Sequence, residues 1–447
     1  MDKKLYIKTW GCQMNVYDSD RMADVMAPLG YQRTATPEDA DLVIFNTCHI
    51  REKASEKLFS ELGRLLPFKQ AKEVRGQRMI IAVAGCVAQA VGEEIQNRAP
   101  FVDIVLGPQV YQHLPSMLEA LNKNSTRVLN TDFPPEPKFD ALPRHDTSGI
   151  SAFLPIQEGC NRFCAYCVVP YTRGAEYSRA PEDIVAEAED LVTCGAREVT
   201  LLGQNVNAFH GVDQKGRAWN LAELLERLAD IQNLKRLRFT TSHPRDMDDA
   251  LIAAFRDLPK LMPFLHLPVQ SGSDAILKAM NRKHTADDYR RTVDKLRDAR
   301  PDLALSSDFI VGFPGETDDD FNETMRLVRD VRFAQSFSFK YSRRPGTPAA
   351  TLEGQVPDDV MNVRIQELQT LLRDQHTAFN ESFVGQTVPV LFDDNGQNKG
   401  RIFGRTPYLQ STFVEVSDKE RGALNGQEAA VIITVATPNN VRGRMIA

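Results

Sequence analysis

The amino-acid sequence predicts an α/β chain of three modules: an amino-terminal parallel-sheet domain carrying cysteines, a partial (β/α)6 barrel, and a small carboxy-terminal all-β barrel. Three observations lead there. Short apolar runs alternate with helical periodicity over the first third of the chain. Six further strand-and-helix units follow from residue 150. After Gly385 only short strand-like runs remain. The expected partition is 1–125 for the cysteine domain, 126–147 for a linker, 148–382 for the barrel with its helical connector, and 383–447 for the β module.

In the first third, Leu5–Thr9 is a short apolar strand ending at Gly11-Cys12, and Asp18–Leu29 has helical periodicity. Asp41–Asn46 is a second apolar strand, ending at Thr47-Cys48 and followed by a charged helix over Arg51–Leu66. Met79–Ala84 ends at Gly85-Cys86, and Val102–Leu106 reads as a fourth strand. A βαβα order favours a parallel sheet with helices on both faces. Cys12, Cys48 and Cys86 each stand just past the carboxyl end of a strand. In open parallel sheets those ends share one crevice, so thiols about forty residues apart can converge there on a second cluster. Cysteines used only in packing would be scattered along strands and helices. Asn15 and Asn46 lie beside the same loops, either lining a site or closing turns and helix caps. Pro134, Pro135, Pro137 and Pro143 fall without a period in 125–147, the mark of a linker.

In the middle, strands are expected near 152–157, 198–202, 236–240, 264–269, 304–311 and 336–341, and helices near 181–194, 220–231, 247–256, 273–280, 286–299 and 318–331. Reactive groups in such barrels gather at the carboxyl ends of the strands. Polar clusters stand there: Gly203-Gln204-Asn205, Thr241-Ser242-His243, Gln270-Ser271-Gly272 and Gly312-Phe313-Pro314-Gly315-Glu316. Gly203 and Gly312 equally serve tight turns, and His243 and His266 equally serve as hydrogen-bonded barrel residues. Cys194, before Gly195 at a helix end, reads as a core thiol.

The first barrel strand leads into Cys160-Asn-Arg-Phe-Cys164-Ala-Tyr-Cys167. This spacing suits three thiolates on one [4Fe–4S] cube, leaving the fourth iron open to a substrate or cofactor. Zinc sites usually pair two-cysteine units, and no second unit lies nearby. A disulfide would leave a thiol over, and core packing poorly explains three cysteines so close together.

Pro357–Phe383 is a helical connector, and strands are expected at Thr387–Phe392, Gly400–Thr406, Thr412–Val416 and Glu428–Thr437. Lys399, Arg401, Arg405, Lys419, Arg421, Arg442 and Arg444 barely outnumber the acids of this module, so its charge alone does not specify RNA. Phe403 and Tyr408 beside Arg401 and Arg405 suit a base-stacking platform, and a plain capping domain is the alternative.

At 447 residues with a hydrophobic share of 42%, two or three domains are expected. No apolar run approaches the ~20 residues of a membrane span, and Met-Asp-Lys-Lys-Leu-Tyr-Ile has no signal-peptide pattern. Seven cysteines in that context point to a reducing cytoplasm and to metal ligation. A net charge of −6 argues against a whole-surface nucleic-acid binder and leaves room for a local basic patch.

Thr9–Asn15, Asn46–Lys53, Gly159–Gly174, Leu202–Asn207 and Ser306–Thr317 together resemble the methylthiotransferases of the radical S-adenosylmethionine superfamily, most nearly the branch acting on N(6)-dimethylallyladenosine in tRNA. The resemblance runs from residue 4 to about 446 and is weakest in the tail, which corresponds to a TRAM domain. It implies two [4Fe–4S] clusters, an auxiliary one held by Cys12, Cys48 and Cys86, and a radical one held by Cys160, Cys164 and Cys167. It implies S-adenosylmethionine as both methyl donor and radical source, with contacts from Tyr166, Gln204, Asn205, Ser242, His243, Gln270, Ile310 and Gly312. Gly203-Gln204-Asn205 replaces the usual Gly-Gly-Glu-like segment, and only Ile310 and Gly312 keep the fifth-strand motif. Arg173 is expected to bridge cofactor and cluster or to anchor substrate. Arg401, Phe403 and Arg405 are expected to touch RNA. The implied partners are a tRNA anticodon stem-loop, an electron donor such as flavodoxin, and a sulfur donor, in the cytoplasm. Relatives acting on threonylcarbamoyl adenosine or a ribosomal-protein aspartate typically lack Trp10-Gly-Cys-Gln-Met-Asn15. A non-catalytic iron–sulfur carrier is the alternative of another class.

Overall fold

The computed structural model describes residues 3–49, 54–124, 127–143, 149–394 and 400–446. The start of the helix expected at Arg51, the motif residues Ile50–Lys53, Lys399, and the linker positions 126 and 144–147 lie outside the described residues. The chain forms two compact units. The first is Met1–Asp146 with Glu158–Asn161 and Val168–Tyr177; the second is Thr147–Gln157, Arg162–Cys167 and Ser178–Ala447.

In the first unit, strands β1 (Lys3–Trp10), β2 (Tyr31–Arg33), β3 (Leu42–Thr47), β4 (Ile80–Gly85), β5 (Ile104–Leu106) and β6 (Val128–Asn130) form one parallel sheet in the order β2-β1-β3-β4-β5-β6. Its helices are α1 (Gln13–Met26), α2 (Ala54–Val74), α3 (Cys86–Arg98) and α4 (Leu114–Asn124). Strand side chains alternate between two cores. Leu42, Ile44, Ile80 and Ala82 pack with Met22 and Met26 of α1 and Leu114 and Leu118 of α4. Val43, Phe45, Ile81 and Val83 pack with Leu58 and Leu62 of α2 and Val87 and Ile95 of α3. Each such aliphatic burial contributes about 1.5–3 kcal/mol, which explains why both faces are covered.

Several elements differ from expectation. The supposed linker 126–147 contains β6, the last strand of the sheet, because three residues are too few to show a period beside four prolines. Helix α1 begins at Gln13, with Cys12 extended at its N-cap, five residues earlier than its apolar period suggested. Helix α2 continues through Pro67 to Val74. Elements β2, α3 and α4 escaped the sequence reading altogether.

Short elements β7 (Ser151–Pro155), β8 (Gln157–Glu158), α5 (Val169–Thr172) and β9 (Tyr177–Ser178) surround the second cysteine loop in sequence. The second unit continues with α6 (Pro181–Thr193), β10 (Glu198–Leu202), α7 (Leu221–Ala229), β11 (Arg236–Phe239), α8 (Asp249–Asp257), β12 (Phe264–His266), α9 (Asp274–Ala279), α10 (Ala286–Ala299), β13 (Ala304–Val311), α11 (Asp318–Val331), β14 (Gln335–Lys340) and α12 (Asp358–Glu381). Its strands form parallel sheets β11-β10-β7 and β12-β13-β14, and Leu261 bridges alongside Leu237 between them, giving the expected open barrel of six strands. Asn220, Thr285 and Thr317 start α7, α10 and α11 with reciprocal capping bonds. Cys194 is exposed at the end of α6, not a core thiol, because the apolar face of that helix ends before it.

The tail is a closed barrel, β15-β16-β17-β19-β18, built from β15 (Thr387–Phe392), β16 (Arg401–Arg405), β17 (Ser411–Glu415), α13 (Asp418–Leu424), β18 (Glu428–Ala436) and β19 (Val441–Met445) around Val390, Ile402, Val414 and Ile433. It docks on the amino-terminal ends of two barrel strands through buried arginines. Arg236 of β11 donates to Glu428 at 2.7 Å, the Arg405 carbonyl at 2.7 Å and the Pro389 carbonyl at 3.1 Å. Arg238 donates to Glu198 at 2.9 Å and to the Pro407 and Thr406 carbonyls at 2.8 and 3.2 Å.

Candidate functional site

The first unit places its cysteines where its topology reverses. From β1 the chain steps outward to β2, then crosses back to β3 on the other side, and the carboxyl ends flanking such a reversal form a crevice. Cys12 follows β1, Cys48 follows β3, and Cys86 follows β4 as the first residue of α3. Close approach is written into two glycines. Gly11 (φ +135°) would drive a Cβ to 2.3 Å from the Cys48 Cβ, and Gly85 (φ +89°) would drive one to 2.3 Å from Asn46 Oδ1. Asn15 and Asn46, both fully buried, lock these loops: Asn15 Nδ2 donates to Asn46 Oδ1 at 3.0 Å, and Asn46 Nδ2 donates to the Asn15 carbonyl at 2.8 Å.

The three thiols share one electrostatic neighbourhood. The Cys12 pKa falls to about 6, chiefly because the Cys48 side chain hydrogen-bonds it, with the Arg173 charge adding and desolvation opposing. Burial pushes the Cys86 thiol up, with Arg173 working against it by charge and by a hydrogen bond. Arg173 belongs to this neighbourhood. Expected to reach cofactor or substrate, it is buried in the first unit, donating to Glu158 at 2.6 Å and Asp18 at 2.7 Å. Lys138 completes a buried quartet, 2.7 Å from Glu158 and 3.3 Å from Asp18. Two cations and two anions cancel. An arginine after a cysteine motif looks ligand-facing in sequence, because its partner Asp18 lies 155 residues away.

In the second unit, the Cys167 amide donates to the Cys164 carbonyl at 2.9 Å, forming a tight turn; Cys160, on the same loop by sequence, falls in the first unit. Tyr166 and Ile310, both expected to contact the cofactor, pack beside one apolar cluster with Met280, Phe313 and Tyr341. The other expected cofactor residues stand at strand ends. Gln204 Oε1, Asn205 Oδ1 and Ser242 Oγ are buried without a hydrogen-bond partner among the described residues, three polar atoms awaiting one. Asn205 Nδ2 is anchored to Asp246 at 2.8 Å. Thr241 (φ +70°) and Gln270 (φ +79°) hold left-handed backbone at the same ends, a strain that functional sites tend to store. His243 is held near pKa 2 by burial first and the Arg282 charge second, so its ring is neutral. The Gly312 amide is committed to Glu316 Oε1 at 2.9 Å, and Met361 leaves no room for a side chain there. His266 is a hydrogen-bonded barrel residue, 3.0 Å from Ser306 Oγ.

Two features escaped the sequence reading. Arg282 is buried and points its Nη1 at the Cys164 sulfur, 3.6 Å away; no periodicity or motif marked it. Phe337 and Phe339 are each 48% exposed on β14, in register with Asp308 and Ile310. Their alternation was visible, but polar alternation with phenylalanine reads as an ordinary half-buried strand.

In the tail, Arg401, Phe403 and Arg405 alternate with buried Ile402 and Gly404, so all three face outward. Phe403 lies 5.7 Å from Phe413 between ring centroids, and the Arg401 guanidinium stands 5.0 Å over the Phe413 ring. Tyr408 does not join them. It packs against Phe383 at 5.0 Å and bonds Asp302 at 3.0 Å, serving the docking of the module.

Among the described residues, no three His, Cys, Asp or Glu side chains converge tightly enough for a single metal ion. A cube takes one thiolate per iron, so its ligands stand farther apart. No helix of the described residues is long and apolar enough to cross a membrane.

Residues 154–328 match the Radical SAM superfamily, residues 4–107 an uncharacterized protein family, UPF0004, and residues 381–446 the TRAM domain. Among solved structures, the chain is similar to the radical S-adenosylmethionine methyltransferase TsrM from Kitasatospora setae, with a TM-score of 0.55 and 13% identity over 78% of this chain and 75% of that one. It is also similar to OxsB, a cobalamin-dependent S-adenosylmethionine radical enzyme, with a TM-score of 0.53 and 12% identity over 83% of this chain and 56% of that one. Both likenesses concern the fold alone. A tRNA-2-methylthio-N(6)-dimethylallyladenosine synthase from Maricaulis maris (strain MCS10) is 57% identical over 448 residues, 99% of this chain and 97% of that protein. With that identity along nearly its whole length, the chain belongs to the tRNA-2-methylthio-N(6)-dimethylallyladenosine synthase family of the radical S-adenosylmethionine superfamily.

Proposed function

We infer that the chain places a methylthio group on carbon 2 of N(6)-dimethylallyladenosine beside the tRNA anticodon. The observation that carries this reading is the 57% identity along 99% of the chain. The chemistry explains why a radical enzyme is needed. Carbon 2 bears a hydrogen that is neither acidic nor a leaving group, so it must leave as an atom before an S-methyl group takes its place. When bound, the clusters and S-adenosylmethionine would supply the one-electron chemistry that removes this hydrogen atom, together with the methyl group and the sulfur.

The residues divide the work. Cys160, Cys164 and Cys167 hold one [4Fe–4S] cluster, and Cys12, Cys48 and Cys86 hold a second. Gln204, Asn205 and Ser242, whose buried polar atoms lack partners, suit the polar groups of S-adenosylmethionine, while Tyr166 and Ile310 flank its adenine. The half-exposed rings of Phe337 and Phe339 offer an apolar surface to an unstacked substrate base. Arg401, Phe403 and Arg405 present charge and a ring to RNA. The electron comes from outside, a flavodoxin-type donor being the family expectation, and a separate sulfur donor would restore the sulfur that the auxiliary cluster gives up.

The test is nucleoside mass spectrometry after an anaerobic reaction of reduced, reconstituted protein with S-adenosylmethionine and tRNA carrying dimethylallyladenosine. A methylthio mass shift on that nucleoside is the expected result. Deoxyadenosine release without the shift would keep the radical enzyme and overturn the substrate.

A further inference from the structure

Arg282 carries a positive charge that no carboxylate among the described residues balances. It is buried, its Nη2 donates to the Pro268 carbonyl, its Nη1 donates to the Cys164 sulfur at 3.6 Å, and its Nε has no partner among the described residues. No carboxylate pairs with it there; the groups that favour its charge are Tyr166, Cys164 and Cys167. The other buried arginines described above are balanced. Arg173 and Lys138 face Asp18 and Glu158, and Arg236 and Arg238 face Glu198 and Glu428. A lone buried cation costs several kcal/mol unless an anion joins it.

The local backbone is built to keep it there. Asn281 (φ +62°) and Lys283 (φ +59°) on either side are left-handed. The Ala165 amide donates to the Met280 carbonyl at 3.0 Å, and Asn281 Nδ2 donates to the Phe163 carbonyl at 2.9 Å, strapping this turn to the cysteine loop.

We propose that Arg282 is a positioning residue that sets the reduction potential of the cluster held by Cys160, Cys164 and Cys167, its guanidinium being the counter-charge to that group. This rests on the reading that those cysteines hold a [4Fe–4S] cluster. Three thiolates on a 2+ cube give a net charge of −1, and uptake of one electron from an external one-electron donor gives −2. A fixed cation beside one thiolate favours the more negative state, and a hydrogen bond to the sulfur acts in the same direction. Arg282 therefore makes the cluster easier to reduce.

The test is an EPR-monitored redox titration, with dithionite and mediators and without tRNA, of full-length reconstituted protein. A sample with Cys12→Ala, Cys48→Ala and Cys86→Ala assigns the signals. Arg282→Gln should retain the cluster iron and shift the midpoint to lower potential, cutting the ratio of reduced to oxidised cluster at fixed potential about tenfold, which is about 59 mV for a one-electron couple. Arg282→Lys should fall nearer the wild type. An unchanged midpoint in Arg282→Gln at full iron content would overturn the proposal. If Arg282→Gln loses its iron, Arg282→Lys decides: retained iron with a near-native midpoint supports the charge, and lost iron leaves only a packing role and overturns it. Because no tRNA is present, a wrong assignment of the tRNA substrate would leave this result intact.

Discussion

Beside Cys12 and Cys86, two buried cations meet two buried anions; beside Cys164, a buried guanidinium meets a sulfur and a carbonyl. The first arrangement is self-sufficient. The quartet of Asp18, Glu158, Lys138 and Arg173 holds together parts of the first unit far apart in sequence, and its net charge is zero. The second arrangement is incomplete as protein alone. Balanced networks recur where the chain needs only to be held, as at the docking of the tail on Arg236 and Arg238. The unbalanced one, beside Cys164, has no carboxylate partner among the described residues.

The widest gap between the two cysteine sites should appear in turnover. Cys164→Ala is expected to lose deoxyadenosine release and methylthiolation together, each to background. Cys12→Ala should lose methylthiolation alone and keep deoxyadenosine release within about twofold, because only the transferred group is missing. Mass spectrometry of both products from one reaction checks this, and undiminished methylthiolation by Cys12→Ala would sink the division of labour. Next in size is the quartet. Asp18→Asn leaves two buried cations facing one carboxylate, and breaking a buried pair in this way costs about 3–5 kcal/mol. Denaturant unfolding of the cluster-free chain measures it; a loss under about 1 kcal/mol would mean the quartet is not a structural element.

The tail offers an intermediate case. Arg236→Ala strips Glu428 and two carbonyls of their partner, and since Glu428 is partly exposed the expected cost is about 2–3 kcal/mol. It should appear as an early, small thermal transition and as new proteolytic cleavage near the end of α12. Phe403→Ala should leave stability within about 1 kcal/mol and weaken tRNA binding instead. Equal losses of stability in the two variants would erase the distinction between docking and RNA-facing residues.

The architecture was legible because it rests on local patterns. Alternating apolar runs marked the strands of the open barrel near their observed places, and Cys12, Cys48 and Cys86 stand beyond the three strand ends that the runs implied. Short elements were not legible: β6 has three residues, and β2 shows no period. The buried partners of Arg173 were not legible for a different reason. Its partners Asp18 and Glu158 are assembled by topology, and no local spacing encodes a contact across 155 residues. Arg282 was invisible on the same ground, since its meaning lies in the carboxylate that is not beside it.

The smallest expected effect probes the unbalanced site through its histidines. His243 and His284 face each other at 5.5 Å, and their pKa values are lowered to about 2 and about 4, by burial first and then by the Arg282 charge. Both rings are therefore neutral in the fold, while in the unfolded chain they protonate near 6.5. Below that pH the unfolded state binds more protons, so stability is full above about 6.5 and falls as the pH drops toward about 4, where His284 itself protonates. Allowing for partial exposure of His284, the pair should cost about 2 kcal/mol between about pH 6.5 and about pH 5. Denaturant unfolding at the two pH values should show this loss in the wild type and a much smaller one in a His243→Asn, His284→Asn double variant. Arg282→Gln sharpens the point: removing its charge should raise both histidine pKa values and shrink the loss, whereas Asp18→Asn, in the balanced site of the other unit, should leave it unchanged. If Arg282→Gln did not alter the slope, burial alone would account for the neutral rings, and the lone charge would have no measurable reach beyond Cys164.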